Sequence, residues 1–133
     1  MRIQAFVIAV SLVPAALLNG STAARPVQPD RPETVMITFH AKAGAENDLA
    51  RVIASHWTTA RRLDLVLDSP HLTLRSSDGK DLVEILTWRD AAIPDDAPAE
   101  IRASWADMNR LVEPRGGTPG LTIERMSVLA AAR

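Results

Sequence analysis

Three tryptophans, three histidines and one well-placed glutamate carry most of the chemistry this chain can do. Trp57, Trp88 and Trp105 are large, flat and able to stack. If they converge, they form an apolar wall for a planar ligand, joined by Phe39; otherwise they fill the core. His56 sits beside Trp57 among apolar residues. There it can act as a base toward a phenolic substrate or as an axial ligand to haem, or simply as a core residue with one hydrogen bond. Glu84 falls mid-strand on the face that carries Trp88. A carboxyl buried there can serve as acid or base, or can pair with Arg75 or Arg125 across a sheet.

Other chemistries lack their residues. The chain has no Cys and no Tyr, so neither a thiol nor a phenol is on offer. His40 and His71 are far apart in sequence, and no HxH or HxxxH spacing is present, so no metal site is expected. Ser55 and His56 are adjacent, which on a helix turns their side chains about 100° apart and rules out a nucleophile–base pair. No nucleophile elbow, phosphate loop or dinucleotide fingerprint occurs. The net charge of −1 gives no basic field for nucleic acid or anionic lipid.

The 133 residues suffice for one domain. Residues 1–24 begin with Arg2, run apolar from Ile3 to Leu18 and end in small residues, the pattern of a cleavable signal peptide. Pro14 interrupts the run, which is shorter than a spanning helix needs; an uncleaved anchor is the other reading. Secretion or a periplasmic location follows, with no membrane contact after cleavage. Residues 25–33 hold three prolines and read as a tether. The domain is expected over 34–129, followed by a short tail over 130–133.

Within that domain the patterning predicts a first strand over Thr34–Ala41, with Val35, Ile37 and Phe39 alternating against Met36, Thr38 and His40. A helix is expected over Gly44–Leu65, its stripe formed by Leu49, Val52, Ile53, His56, Trp57, Ala60 and Leu63. Strands are expected at His71–Ser76 and Leu82–Arg89, joined by an Asp78-Gly79 turn. A second helix is expected over Pro98–Glu113, capped by Asp96 and stopped at Pro114 and Gly116-Gly117. The last strand is expected over Leu121–Leu129, with a bulge near Glu124-Arg125 to explain its shift of apolar phase.

The order β-α-β-β-α-β implies an α+β, ferredoxin-like fold: a four-stranded antiparallel sheet with two helices on one face. The other face is left bare. A second copy packed on it as a homodimer is the expected solution; a monomer with a polar open face is the alternative.

The opening strand TVMITFHA, the Ala-Gly before a long helix, and the strand ending EILTWRD resemble the dimeric α+β barrel superfamily, within it the antibiotic biosynthesis monooxygenase (ABM)-like domains. The similar pieces are Glu84, Trp88 and Asp90 at the strand end, and the resemblance spans 34–129. It implies two protomers packed sheet to sheet, each with a pocket between sheet and helices. Some members oxidise polyketide-type aromatics without metal or flavin, and others degrade haem. Of the haem-degrading set this chain keeps only Trp88: the first strand has no Asn and the second helix no His. The resemblance therefore implies a monooxygenase working without cofactor on a small aromatic. The alternative from the residues is a non-catalytic periplasmic dimer holding a small apolar ligand between its tryptophans. A dimer with no pocket at all is a third reading.

Overall fold

The structure, a computed structural model, describes residues 31–130. The expected signal peptide over 1–24 and most of the proline-rich tether lie outside the described residues, as does most of the tail. The element order is β1 (Glu33–His40), α1 (Glu46–Arg62), β2 (Leu72–Arg75), β3 (Asp81–Trp88), a 3-10 turn (Ile93–Asp96), α2 (Ala99–Leu111) and β4 (Leu121–Met126). The sheet runs β2-β3-β1-β4, with every neighbouring pair antiparallel. This is the ferredoxin-like arrangement the sequence order implies.

Alternation sorts the sheet's faces. Val35, Ile37 and Phe39 of β1 and Leu82, Leu86 and Trp88 of β3 are buried beneath the helices. Against them α1 lays Leu49, Ile53, His56 and Ala60, a four-three-four spacing that keeps one stripe inward. α2 contributes Ile101 and Met108. Arg62 of α1 pairs with Glu100 of α2 at the surface.

The end of β3 is held on both sides. Trp88 stands opposite Glu33 in β1 and forms a bridge with Val66 on its other flank. Leu67 N–H donates to the Thr87 carbonyl and Arg89 N–H to the Leu65 carbonyl, each at 2.9 Å. The backbone carrying Trp88 thus has neighbours on both edges, which fixes where its side chain projects.

Three local expectations are corrected. β4 contains no bulge: it pairs with β1 in an unbroken register from Leu121↔Phe39 to Met126↔Thr34. The apolar phase shift is a change of face: Leu121 and Ile123 lie opposite Phe39 and Ile37, Met126 opposite Thr34, and Val128 lies beyond the strand. Asp96 does not cap α2; the 3-10 turn absorbs it, Pro98 takes the cap position, and Pro98's carbonyl receives Ile101 and Arg102 N–H. Helix α1, expected over Gly44–Leu65, runs over Glu46–Arg62 and so is shorter at both ends. Its C-terminus closes when Leu65 N–H reaches the Ala60 carbonyl, with Asp64 in the left-handed conformation at φ 57°.

The uncovered face carries more apolar surface than its β1 residues alone imply. Leu72 lies opposite Ile85 and Leu74 opposite Val83, all pointing away from the helices. Leu72 and Leu74 are each about half exposed, at 51% and 50%. Met36, opposite Ile85, extends the same row into β1.

A Trp and His lined cavity beneath the second helix

A cavity of about 610 Å³ lies between α2 and the β1–β4 half of the sheet. Val35, Ile37 and Phe39 of β1 form its floor, and Leu121 and Ile123 of β4 its outer edge. Trp88 closes one end, His56 reaches in from α1, and Trp105, Met108 and Asn109 roof it from α2. Glu33 and Arg125 stand at the mouth, paired at 2.8 Å. The wall is thus apolar and aromatic with few polar groups, a composition suited to a small organic ligand.

Two of the three tryptophans meet here. Trp88 and Trp105 stand edge to face, centroids 6.3 Å apart at 89°. His56 stands edge-on to Trp88, with centroids 6.1 Å apart. Its Nε2 accepts the Trp105 indole N–H at 3.2 Å. Because indole only donates, Nε2 is the unprotonated nitrogen and Nδ1 carries the hydrogen of the neutral ring. That Nδ1 is buried and has no partner among the described residues. Burial holds the His56 imidazole below its ordinary pKa; the charge of Glu84 works against this and that of His71 adds to it. His56 is therefore a neutral base at neutral pH.

Trp57 does not join this wall. It follows His56 by one residue, so it turns about 100° away around α1. It stacks instead on His71, with centroids 3.6 Å apart and planes within 2°. The Arg61 guanidinium lies 6.0 Å from the Trp57 ring on the same side of the helix.

Glu84 is fully buried but does not line the cavity. It shares a face with Trp88, yet four residues of strand separate the two by about 13 Å. Neither expected partner reaches it. Arg75 contacts Asn47 at 3.2 and 3.3 Å, and Arg125 is taken by Glu33. Its neighbour is His71, whose Nε2 lies 3.4 Å from Glu84 Oε1. Phe39 is fully buried and faces both core and cavity. His40 sits apart from His71, paired through Nδ1 with Asp81 at 2.8 Å on the opposite face. Sequence reasoning overlooked Asn109, Met108 and the Glu33–Arg125 pair. The last depends on pairing register, which sets Arg125 opposite Val35 and so diagonal to Glu33 on the helix-facing side.

No family model and no curated protein matches the chain. Solved structures do. Rv0793 from Mycobacterium tuberculosis superposes with a TM-score of 0.60 at 18% identity, over 77% of this chain and 100% of that one. SnoaB, a cofactor-independent oxygenase from Streptomyces nogalater, gives 0.59 at 16% identity, over 75% and 95%. PA3566 from Pseudomonas aeruginosa gives 0.58 at 19% identity, over 74% and 95%. An antibiotic biosynthesis monooxygenase structure matches comparably, at 0.58 and 16%. The domain of this chain therefore has the ferredoxin-like α+β fold of the ABM-like proteins.

Proposed function

We propose that the cavity binds a small planar aromatic substrate and that the protein oxidises it with dissolved oxygen, without cofactor. One observation carries this reading: a buried, neutral His56 in the wall of an apolar cavity, beside two tryptophan rings. Trp88 and Trp105 would sandwich or flank the ring, with Phe39 beneath it. His56 Nε2 would take the proton of a ring hydroxyl after Trp105 turns its N–H aside. The resulting phenolate is the electron-rich species that reduces oxygen, so the protein's part is to hold it dry and remove one proton. The likeness in fold to a cofactor-independent oxygenase supports the reading. The test is oxygen uptake by the domain with a panel of hydroquinones and anthrone-type phenols. Uptake that His56→Gln abolishes is the expected result.

One observation favours a second reading, in which the protein only binds. Trp105 already occupies the lone pair of Nε2. A His held that way is a wall residue and not a free base. Quenching of tryptophan fluorescence by the same phenols, with no oxygen uptake, would select this reading.

We further propose that residues 1–24 export the protein and that the mature domain pairs through its uncovered face. The basic start, apolar run and small-residue end support export. The row Leu72, Ile85, Met36 supports pairing. Intact mass of protein recovered from the periplasm tests the first: cleavage after Ala23 or the next residue is expected, and recovery of the full-length chain would refute it.

A further inference from the structure

A second hollow, of about 750 Å³, lies at one end of the uncovered face, where β1 begins and β3 and β4 end. Its floor is a row across the sheet: Thr87 stands opposite Thr34, and Thr34 opposite Met126. Leu67 continues the row, since its N–H donates to the Thr87 carbonyl at 2.9 Å. One rim is made by Arg31 and Ala91, joined through the Ala91 N–H and the Arg31 carbonyl. Pro70 and Val128 stand on the flanks. The proposed oxidation makes no use of Thr34, Thr87 or Arg31.

Two features mark this hollow as a place for an anion. Thr34 and Thr87 are buried, and their hydroxyl oxygens lie 2.7 Å apart. Each hydroxyl has one hydrogen to donate. Their mutual bond uses one of the two, and the other has no acceptor among the described residues. A buried donor left in that state needs an acceptor from outside the fold. The second feature is charge. Arg31 and Arg125 line the hollow against the single carboxylate of Glu33, which pairs with Arg125 at 2.8 Å. Arg31 makes no ion pair among the described residues, so one guanidinium of the lining is unmatched there.

We propose that this hollow binds a small organic acid. One carboxylate oxygen takes the spare threonine hydrogen and the other meets the Arg31 guanidinium. A short apolar body lies on Leu67, Pro70 and Met126, of which Met126 is 42% exposed in the protomer and has surface to give. A carboxylate suits the place better than a phosphate: it is planar, and its single negative charge matches a single free guanidinium. The site is distinct from the Trp cavity. Thr34 and Thr87 point to the uncovered face, whereas Val35 and Trp88 beside them point to the helices. The Glu33–Arg125 pair stands between the two hollows and lines both. Acid binding here therefore depends neither on His56 nor on any oxidation.

The test titrates hexanoate into the nitrogen-labelled protein and follows backbone amide and indole signals by NMR. Saturable shifts are expected at the Thr34, Thr87 and Ser127 amides, half-complete at about 1 mM or below, while the Trp88 and Trp105 indole signals stay in place. Hexanamide, the neutral analogue, should bind about tenfold more weakly or worse, because the charge-assisted bonds are lost. Thr34→Val combined with Thr87→Val removes both hydroxyls at once, so it orphans neither and keeps the fold. That variant and, separately, Arg31→Gln should each weaken hexanoate by about tenfold. Equal binding of hexanamide, movement of the indoles in place of the threonine amides, native affinity in the double valine variant, or no shift at all overturns the site. Inorganic phosphate is the competing arm: saturation by phosphate at lower concentration than hexanoate overturns the carboxylate assignment. The floor borders the Met36–Ile85 pair on the face proposed for dimerisation, so each variant is also weighed by light scattering. Weakened binding that comes with a changed mass overturns the proposal, since the hollow would then belong to the contact between copies.

Discussion

Trp105 donates its indole N–H to Nε2 of His56 across 3.2 Å, and so ties α2 to α1 through the wall of the cavity. Neither helix makes another side-chain hydrogen bond at this depth among the described residues; the Arg62–Glu100 pair is at the surface. Trp105→Phe keeps an aromatic ring in the roof and leaves Nε2 buried without a donor. The expected cost is about 1–3 kcal/mol of stability, the usual penalty for orphaning a buried acceptor. Urea unfolding of the two proteins measures it. A loss well under that range would mean that water reaches Nε2 freely.

Burial also makes His56 a source of acid sensitivity. Its folded pKa lies below the ordinary value of 6.5, so protonation is harder in the fold than in the unfolded chain. Between the lowered pKa and the ordinary one, the unfolded chain holds more protons. Stability therefore rises with pH across that window. It is full above about pH 6.5 and falls as the solution is acidified, by up to about 1.4 kcal/mol per pH unit for this one group. Below the folded pKa the loss is complete and the slope disappears. His56→Gln, which can still accept from Trp105, should flatten that slope. Urea midpoints at a series of pH values between 7.5 and 5 would show it.

Gly120 is needed for close approach and not for its backbone angles. A Cβ built there would lie 2.8 Å from Glu113 N and 2.9 Å from Glu113 C. Those are backbone atoms, so no side-chain rotation relieves the clash. The same neighbourhood carries two hydrogen bonds: His40 N–H to the Gly120 carbonyl at 2.7 Å, and Glu113 N–H to the His40 carbonyl at 2.9 Å. Gly120→Ala must push this junction apart and should cost about 1–3 kcal/mol, as overpacking typically does. Because Leu121 follows and lines the cavity, the variant should also bind phenols more weakly in a fluorescence titration.

How far the sequence reaches can be judged at particular residues. Strand alternation places Val35, Ile37 and Phe39 together, and Glu84, Leu86 and Trp88 together, because a period of two leaves little freedom. It also sorts Leu72 and Leu74 onto one side of β2 but does not say which side the helices cover. That depends on pairing register, and the structure assigns them to the uncovered face. The helix stripe was broader in the sequence than in space. Seven apolar or aromatic positions qualify by spacing, and only Leu49, Ile53, His56 and Ala60 are fully inside. Trp57 and His56 both fall on the stripe by three- and four-residue spacing, although one residue of helix turns them toward different neighbours. The His71–Glu84 contact had no local signal at all. It comes from a loop that returns to the sheet thirteen residues away in sequence, a closure that spacing does not encode.

The uncovered face makes the sharpest statement about assembly. Leu74 lies opposite Val83 on edge strand β2 and is half exposed in the protomer, so changing it costs the protomer little. In a twofold pair the same residue occurs on both sides of the interface, and its substitution counts twice. Burying the exposed half of a leucine is worth about 1 kcal/mol, so two of them amount to about 2 kcal/mol. Leu74→Lys forfeits that and places an ammonium in the interface. The dimer should weaken at least thirtyfold or so, since each 1.4 kcal/mol is a factor of ten. Leu129→Lys is the control: at 95% exposure and outside β4, it changes hydropathy without touching the sheet. Light scattering at micromolar concentration should give a dimer mass for the native domain and for Leu129→Lys, and a protomer mass for Leu74→Lys. A protomer mass for all three would leave the face open to water.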